Sequence, residues 1–337
     1  MNITKSRVSE LWKLSREKYP DKYSLSEKSN NLLKEEKIPI SVPTLHFKSE
    51  NISAYQSHSQ RSAWLHKPWK SKKVWYPGIE YKGIGDNGNK IRSLGKTAWG
   101  GLELEKTTLE HKFSRKAFNA GIFCQRPIAC YEYGEFKGKK LAVLVRTFVS
   151  PLRLSDFHFD EEFLSKYLDF REQTEEEYVN SLAEILGKNV RKLFDIGLIH
   201  GSLEMNNITT EGELADFEPT SGGTWEGVME NKEPKFRVLT LTRLFSAIND
   251  IFTETDTFLN TFTEMFFNKN ISLSSNFPEK EIVEKYIGKE LTEEDLKIKF
   301  PEFKNIEKAK KILKKARKKT TSEKEKKRLD FILKELG

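Results

Sequence analysis

The stretch His200-Gly201-Ser202-Leu203-Glu204-Met205-Asn206-Asn207-Ile208 is followed, nine residues after Asn207, by Asp216-Phe217-Glu218. An amide oxygen and a carboxylate that face each other can hold Mg²⁺, and the ion can bridge the phosphate oxygens of a nucleotide while the phosphorus is attacked. Asn207 and Asp216 supply these two groups. We therefore predict that both residues bind Mg²⁺ and, through it, ATP.

The same stretch lacks the usual general base. In HGD and HRD triplets, an aspartate two residues after the histidine receives the proton of the attacking hydroxyl, and Ser202 stands at that position here. Glu204 is the nearest carboxylate in the sequence, so it is the candidate substitute, and the adjacent Asn206 is a second catalytic candidate. His200 itself is expected to support the loop through hydrogen bonding and packing rather than to transfer protons.

A phosphate site of this kind also needs a cation on a strand and a carboxylate that orients it. Lys82 ends a predicted strand and is our choice for the cation. Glu110, on a predicted helix that returns toward the next strand, is our choice for the carboxylate, with Glu103 and Glu105 as competitors. The glycines that follow Lys82 do not form a GxGxxG phosphate cover, because such a loop precedes the lysine.

Composition limits the class of protein. The chain has 337 residues, 37% of them hydrophobic, and a mean hydropathy of −0.63. It contains no apolar run of about 18 residues that would span a membrane, and its first residues do not resemble a signal peptide. We therefore predict a cytoplasmic protein. The two cysteines, Cys124 and Cys130, exclude a disulfide framework and a four-thiolate zinc site.

The net charge of +8 is concentrated near the C-terminus, where residues 308–319 carry eight lysines and arginines. A charged helix packed by its narrow apolar stripe explains this pattern. A docking surface for an acidic partner, nucleic acid or a membrane surface remains the alternative, because such patches bind phosphate groups.

The order of predicted elements places strands before helices. Short helices are expected in residues 1–40, and strands at 73–76 and 79–82 flank a turn at Pro77-Gly78. A helix over 102–120 follows, then strands at 127–131 and 141–146. A long helix over 175–196 leads into His200, short strands flank a turn at Glu211-Gly212, and helices at 238–252 and 258–267 complete the pattern.

Two family resemblances rest on these motifs. The HG…NI…DFE pattern resembles the aminoglycoside phosphotransferases and related small-molecule kinases, whose triplet is HGD. Tyr81-Lys82-Gly83-Ile84-Gly85, then Glu110 on a helix, then the nine-residue spacing from asparagine to aspartate, is similar to the selenoprotein O family over residues 53–220. That resemblance implies transfer of AMP from ATP to protein hydroxyls. The chain departs from that family at Asn206, where the family has an aspartate, and in lacking a selenocysteine-bearing tail.

Together these patterns predict an α+β, bilobal protein-kinase-like fold, with a small strand-rich N-lobe, a larger helical C-lobe and extra basic C-terminal helices. The expected domains are an N-terminal helical extension at 1–40, the N-lobe at 41–150, the C-lobe at 151–277 and a basic helical extension at 278–337.

The expected function is transfer of AMP or phosphate from Mg·ATP to a hydroxyl acceptor on a protein, peptide or small molecule. A pseudokinase that binds nucleotide or serves as a scaffold is the alternative, favoured by Ser202 and Asn206. Retention of both types of metal ligand favours the enzyme.

Overall fold

The computed structural model describes residues 3–20, 54–56, 62–84, 101–136, 138–158, 160–220, 227–231 and 234–267. All of them belong to residues 1–280, which form one compact unit. The predicted basic helix at 308–319 and the predicted extension at 278–337 lie outside the described residues. The domain boundaries proposed from the sequence stay predictions.

The described residues contain both helices and strands, so the mixed α and β class is confirmed. The helices are α1 (Lys5–Lys18), α2 (Leu104–Asn119), α3 (Glu161–Arg171), α4 (Glu175–Asp195), α5 (Pro234–Asn249) and α6 (Thr255–Phe267). The strands are β1 (Ala54–Gln56), β2 (Ser62–Ser71), β3 (Val74–Lys82), β4 (Leu102–Glu103), β5 (Arg126–Phe136), β6 (Lys139–Thr147), β7 (Leu198–His200) and β8 (Val228–Glu230). Within these ranges, no helix is both long and apolar enough to cross a bilayer, and the cytoplasmic location stays a prediction.

An antiparallel sheet holds the N-terminal strands in the order β1-β2-β3-β6, and β6 also pairs with β4 and β5. Residues 141–147 of β6 are all buried, as expected for a central strand. The register places Lys82 opposite Leu144 and Glu80 opposite Arg146. Because directly paired residues of antiparallel strands point to one face, these four side chains share a face of the sheet.

The predicted turn at Pro77-Gly78 is wrong. Both residues lie inside the continuous strand β3, and the turn precedes it at Lys72, whose φ of 55° lies in the left-handed region. Position 78 is a glycine for a reason other than a turn: a Cβ there would lie 1.9 Å from the backbone oxygen of Leu65 on β2. The glycine therefore permits close approach of two strand backbones, which the sequence pattern alone cannot distinguish from a turn.

The long helix α4 begins with a capping box between Thr174 and Glu177, so the predicted helix over 175–196 is confirmed. One face of α4 packs against α6, and a Cβ at Gly187 would lie 2.8 Å from the backbone oxygen of Phe262. The helix ends before Gly197, which has a φ of 72° and directs the chain into β7 and His200.

Helix α1 packs on the larger body, as the sequence predicts for part of residues 1–40. Trp12 packs edge-on against Tyr55 and Trp64 of the sheet. From the same helix, Arg7 forms an ion pair with Glu211, at the turn that precedes Asp216. Helix α1 thus contacts both the sheet and the hairpin that carries a candidate site residue.

Candidate active site

Lys82 is a buried ammonium at the end of β3. Its side chain is 1% exposed, and Nζ donates a hydrogen bond to Glu110 Oε2 at 2.9 Å. Nζ also forms an ion pair with Asp216 Oδ1 and lies 3.6 Å from Glu218 Oε2. Three carboxylates from two separate parts of the chain therefore meet one lysine.

Glu110 reaches Lys82 because it lies on the inner face of α2. The buried positions of this helix, among them Thr107, Glu110, Phe113 and Ala117, recur at intervals of three or four residues and face the sheet. The structure thus brings Glu110 to the lysine, whereas the competing Glu103 forms an ion pair with Lys139. Glu105, the other competitor, is exposed.

Asp216 follows a narrow hairpin. The turn lies at Gly212, with a φ of 81°, and Ile208 pairs with Leu214, so the short strands predicted around Glu211-Gly212 are present as a single bridge. Asp216 itself has a φ of 60°, a conformation that asparagine and aspartate adopt more readily than other non-glycine residues. Such backbone geometry concentrates at functional sites, and here it accompanies the ion pair with Lys82.

Asn207 ends a short 3₁₀ helix, Met205–Asn207, immediately before that hairpin. The amide nitrogen of Ala215 donates to the Asn207 carbonyl oxygen at 2.8 Å, so Asn207 is one register position from Asp216. Its side-chain Nδ2 donates to the Ser202 carbonyl oxygen at 2.7 Å. The amide nitrogen is engaged in the loop, and the amide oxygen is the atom chemically suited to a cation.

His200 supports the loop through a hydrogen bond and ring packing inside the protein. Its ring is fully buried, its Nε2 lies 2.8 Å from the carbonyl oxygen of Ala215, and it packs edge-on against Phe217. Burial lowers the pKa of the imidazole, although the Ala215 carbonyl opposes this effect. A neutral histidine bonded to the residue before Asp216 positions that aspartate.

The residues around the missing base have other partners. The Ser202 hydroxyl oxygen accepts a hydrogen bond from the Gly227 amide at 2.9 Å, and this contact helps join β7 to β8. Glu204 is partly exposed and forms an ion pair with Arg243 of α5. Asn206 is exposed beside it. Of these loop residues, Glu204 is the one that carries a carboxylate.

A second buried cation, Arg146, was not predicted from the sequence. Its Nε donates to Glu80 Oε2 at 2.6 Å, and its Nη1 donates to Glu110 Oε1 at 3.1 Å and to Gln125 Oε1 at 2.9 Å. Gln125 Oε1 also accepts from the Asp216 backbone amide at 3.0 Å. Arg146 and Gln125 thus fix both carboxylate-bearing elements around Lys82.

Neighbouring carboxylates keep the side chains of Lys82 and Arg146 protonated. Burial alone would lower the pKa of the Lys82 ammonium, but the carboxylates of Asp216 and Glu110 outweigh it and raise that pKa. The pKa of Arg146 is also raised, since Glu80 and Glu110 outweigh burial. Both cations stay charged at neutral pH.

The acidic side chains outnumber these cations. Carboxylate oxygens of Glu110, Asp216 and Glu218 lie within 4.8 Å of one another. With Glu80, four carboxylates face three cations, Lys82, Arg146 and Arg153, the last of which interacts with Glu80, so the formal charge is −1. Oxygen ligands with this excess charge suit Mg²⁺. Glu218 is the last residue of the DFE triplet. Its carboxylate, two residues after Asp216, is the feature of the sequence that indicates a role in metal binding.

Glu213 is a second buried side chain whose role the sequence does not predict. Its carboxylate is fully buried and accepts hydrogen bonds from the backbone amides of Val149 at 2.8 and 2.9 Å and of Ser150 at 3.2 Å. Burial raises the pKa of Glu213 to about 8, although the two amides oppose the shift. Thr209 Oγ1 also donates to the carboxylate at 3.3 Å, but the backbone amides that bind it lie more than sixty positions away, where no local sequence pattern reveals them.

Comparison with known proteins adds little to this geometry. No protein-family model and no curated protein sequence matches the chain. Among solved structures, the chain is similar to one described as WaaP in complex with acyl carrier protein, with a TM-score of 0.38 and 14% sequence identity, over 79% of this chain and 93% of that chain. A similarity of this size assigns neither a family nor an activity.

Proposed function

We propose that this chain is a kinase-like transferase that moves phosphate or AMP from Mg·ATP to a hydroxyl group of a protein, peptide or small molecule. The observation that carries the proposal is the contact of Lys82 Nζ with the carboxylates of Glu110 and Asp216. A strand, a helix and a hairpin each contribute one of these side chains. Their convergence, with Lys82 and Glu110 buried and Asp216 partly exposed, supports a role in phosphate transfer.

The order of the elements supports a kinase-like, bilobal arrangement. The sheet and α2 would form the upper lobe, and the helices from α3 to α6 the lower lobe, with residues 148–153 as their connection. Lys82 and Glu110 then belong to the upper lobe, and Asn207 and Asp216 to the lower. A site between the two lobes would contain one cation, Lys82, and one metal-binding pair, Asn207 and Asp216.

Each side chain has a role in this proposal. Lys82 neutralises phosphate oxygens, and Glu110 orients its ammonium. Asn207, Asp216 and Glu218 hold Mg²⁺, which when bound neutralises charge on the phosphate chain. Because Asp216 contacts Lys82 directly, a bound cation competes with the lysine for that carboxylate.

Proton transfer is assigned to Glu204. Arg243 orients this partly exposed carboxylate, which accepts the proton of the acceptor hydroxyl, while the exposed Asn206 hydrogen-bonds the acceptor. A carboxylate is a weak base, but positioning and charge neutralisation supply most of the acceleration in transfer from ATP. The proposal therefore does not require the missing aspartate.

A pseudokinase is the second candidate, and a specific contact favours it. Ser202 replaces the usual base, and its hydroxyl is used to hold the Gly227 amide. In that case the cluster binds nucleotide without transferring phosphate or AMP, and the protein acts as a scaffold that responds to the bound nucleotide.

The two candidates are separated by incubating the purified chain, with Mg²⁺ and a mixture of acceptors, with α-labelled or γ-labelled ATP. Label transferred from α indicates AMP transfer, and label transferred from γ alone indicates phosphate transfer. Asp216→Asn is expected to abolish either signal. Asp195→Asn, the same change at an exposed aspartate of α4, is expected to leave it unchanged.

The chain's own hydroxyl groups serve as acceptors in a parallel reaction without added substrate. Absence of label in both reactions, with nucleotide binding intact, contradicts the enzyme and supports the pseudokinase. Absence of binding contradicts both.

A further inference from the structure

The connection between the sheet and the helices is closed to a ligand. Within residues 148–153, Phe148, Val149 and Leu152 are completely buried. The backbone amides of Val149 and Ser150 both donate to Glu213, a residue of the hairpin below. Backbone donors that recognise a nucleotide base must be available to it, and these two already have a partner inside the protein.

The sheet face that carries Lys82 also carries a buried ion pair. Glu80 lies two residues before Lys82 on the same face and forms an ion pair with Arg146, Nε to Oε2, at 2.6 Å. Beyond it, the guanidinium of Arg153 stacks at 4.0 Å from the ring centroid of Phe148. The charges of Arg153, Glu80 and Arg146 also interact with one another.

The cluster of Glu80, Arg146 and Arg153 is too polar to bind a planar base. Binding sites for such rings offer apolar faces with a few oriented polar groups. Inserting a purine here would separate Glu80 from Arg146 and so break a buried ion pair. It would also displace the Arg153 guanidinium from Phe148.

Beside the carboxylates of Glu110 and Glu218, the described residues leave a small polar cavity of about 30 Å³. It is lined by residues 101–103, Lys106, Thr107, Glu110 and Glu218. This volume accommodates about one water molecule and is much smaller than a purine. Within the described part of the chain, neither this cavity nor the ion-paired face around Glu80 and Arg146 is suited to a base.

We infer that this site recognises a magnesium-bound phosphate chain and that its residues 148–153 contact no base. This inference rests on the proposed function, and it specifies the class of ligand: a triphosphate in general rather than ATP in particular. Lys82, Asp216 and the bound divalent cation then provide the affinity.

Isothermal titration calorimetry of the full chain with Mg²⁺ tests the inference with four probes: ATP, GTP, inorganic tripolyphosphate and adenosine. The three triphosphates are expected to bind within about fivefold of one another, and adenosine is expected not to bind. Lys82→Met should weaken all three by a similar factor of about a hundred. Lys116→Met, at a surface lysine paired with Glu230, should change none of them.

The outcomes distinguish this inference from the function on which it rests. If ATP binds more than tenfold tighter than both GTP and tripolyphosphate, or if adenosine competes with ATP, the base is recognised; the inference then fails and the proposed function stands. If the folded protein binds none of the triphosphates, the proposed function fails and this inference fails with it.

Discussion

The buried pair of Lys82 and Glu110 makes a quantitative prediction. Both side chains are 1% exposed, and Nζ lies 2.9 Å from Oε2. At an effective dielectric constant of about 20, two unit charges at this distance attract by about 6 kcal/mol before the cost of desolvation. Removal of one member of a buried pair typically costs about 3–5 kcal/mol, because the other charge is left uncompensated.

Here the remaining contacts reduce that cost. Glu110 keeps Arg146 when Lys82 is lost, and Lys82 keeps Asp216 when Glu110 is neutralised. We expect Lys82→Met and Glu110→Gln each to lower the free energy of unfolding by about 2–3 kcal/mol. The double variant should lose at least about 1.5 kcal/mol less than the sum of the two single losses, because the attraction between Lys82 and Glu110 is counted in both single losses and is lost only once in the double variant.

Urea denaturation, followed by tryptophan fluorescence at pH 7, measures all four members of the cycle. The matched control is the pair of Lys116 and Glu230, with an Nζ to Oε1 distance of 2.6 Å and side chains that are 38% and 50% exposed. Its Met and Gln variants should show a coupling of no more than about 1 kcal/mol. Additivity at Lys82 and Glu110 within about 0.5 kcal/mol would refute the buried pair, and with it the site.

The remaining predictions concern pH, backbone packing and ligand binding. Because burial raises the pKa of Glu213 from 4.5 to about 8, the folded state holds a proton that the unfolded state has lost; stability should fall by about 1.4 kcal/mol per pH unit between these values. Glu213→Gln should remove this component of the slope in denaturation series from pH 5 to 8, and an unchanged slope argues against it. Gly78→Ala should cost at least about 2 kcal/mol more than Gly138→Ala in urea denaturation, since a Cβ would lie 1.9 Å from a backbone oxygen at Gly78. At Gly138 a Cβ has nothing within 4 Å, and the φ of 74° costs alanine about 1–2 kcal/mol; equal costs would contradict the close strand approach at Gly78. Mg·ATP at a hundred times its Kd should raise the unfolding free energy of the wild type by about 2.7 kcal/mol. The same addition should have almost no effect on Asp216→Asn, and equal stabilisation of both proteins would remove Asp216 from the site.

Local patterns were sufficient to predict the elements that carry the site. The apolar spacing of α4 and the glycine after it predicted the approach to His200, and the helical spacing of α2 predicted the element that carries Glu110. Lys82 was recognised by its position at the end of a strand. These signals are short-range, and the structure brings Lys82, Glu110 and Asp216 together.

The parts that the sequence did not reveal depend on distant contacts. Arg146 meets Glu80 across a strand register 66 residues apart in sequence, and Glu213 meets Val149 across 64. The role of Gly78 depends on the approach of β2 to β3, which resembles a turn signal when only neighbouring residues are considered. Strand register and long-range contacts of this kind are set by tertiary packing rather than by local propensity.

The central claim is that Asn207 and Asp216 hold a divalent cation that carries a triphosphate to Lys82. A crystal structure of the protein with Mg²⁺ and a non-hydrolysable ATP analogue tests it most directly. We expect Mg²⁺ at about 2.0–2.1 Å from oxygens of both residues, with phosphate oxygens beside Lys82. A ligand bound elsewhere, or a Lys82–Asp216 ion pair that persists with no metal beside it, would contradict the claim.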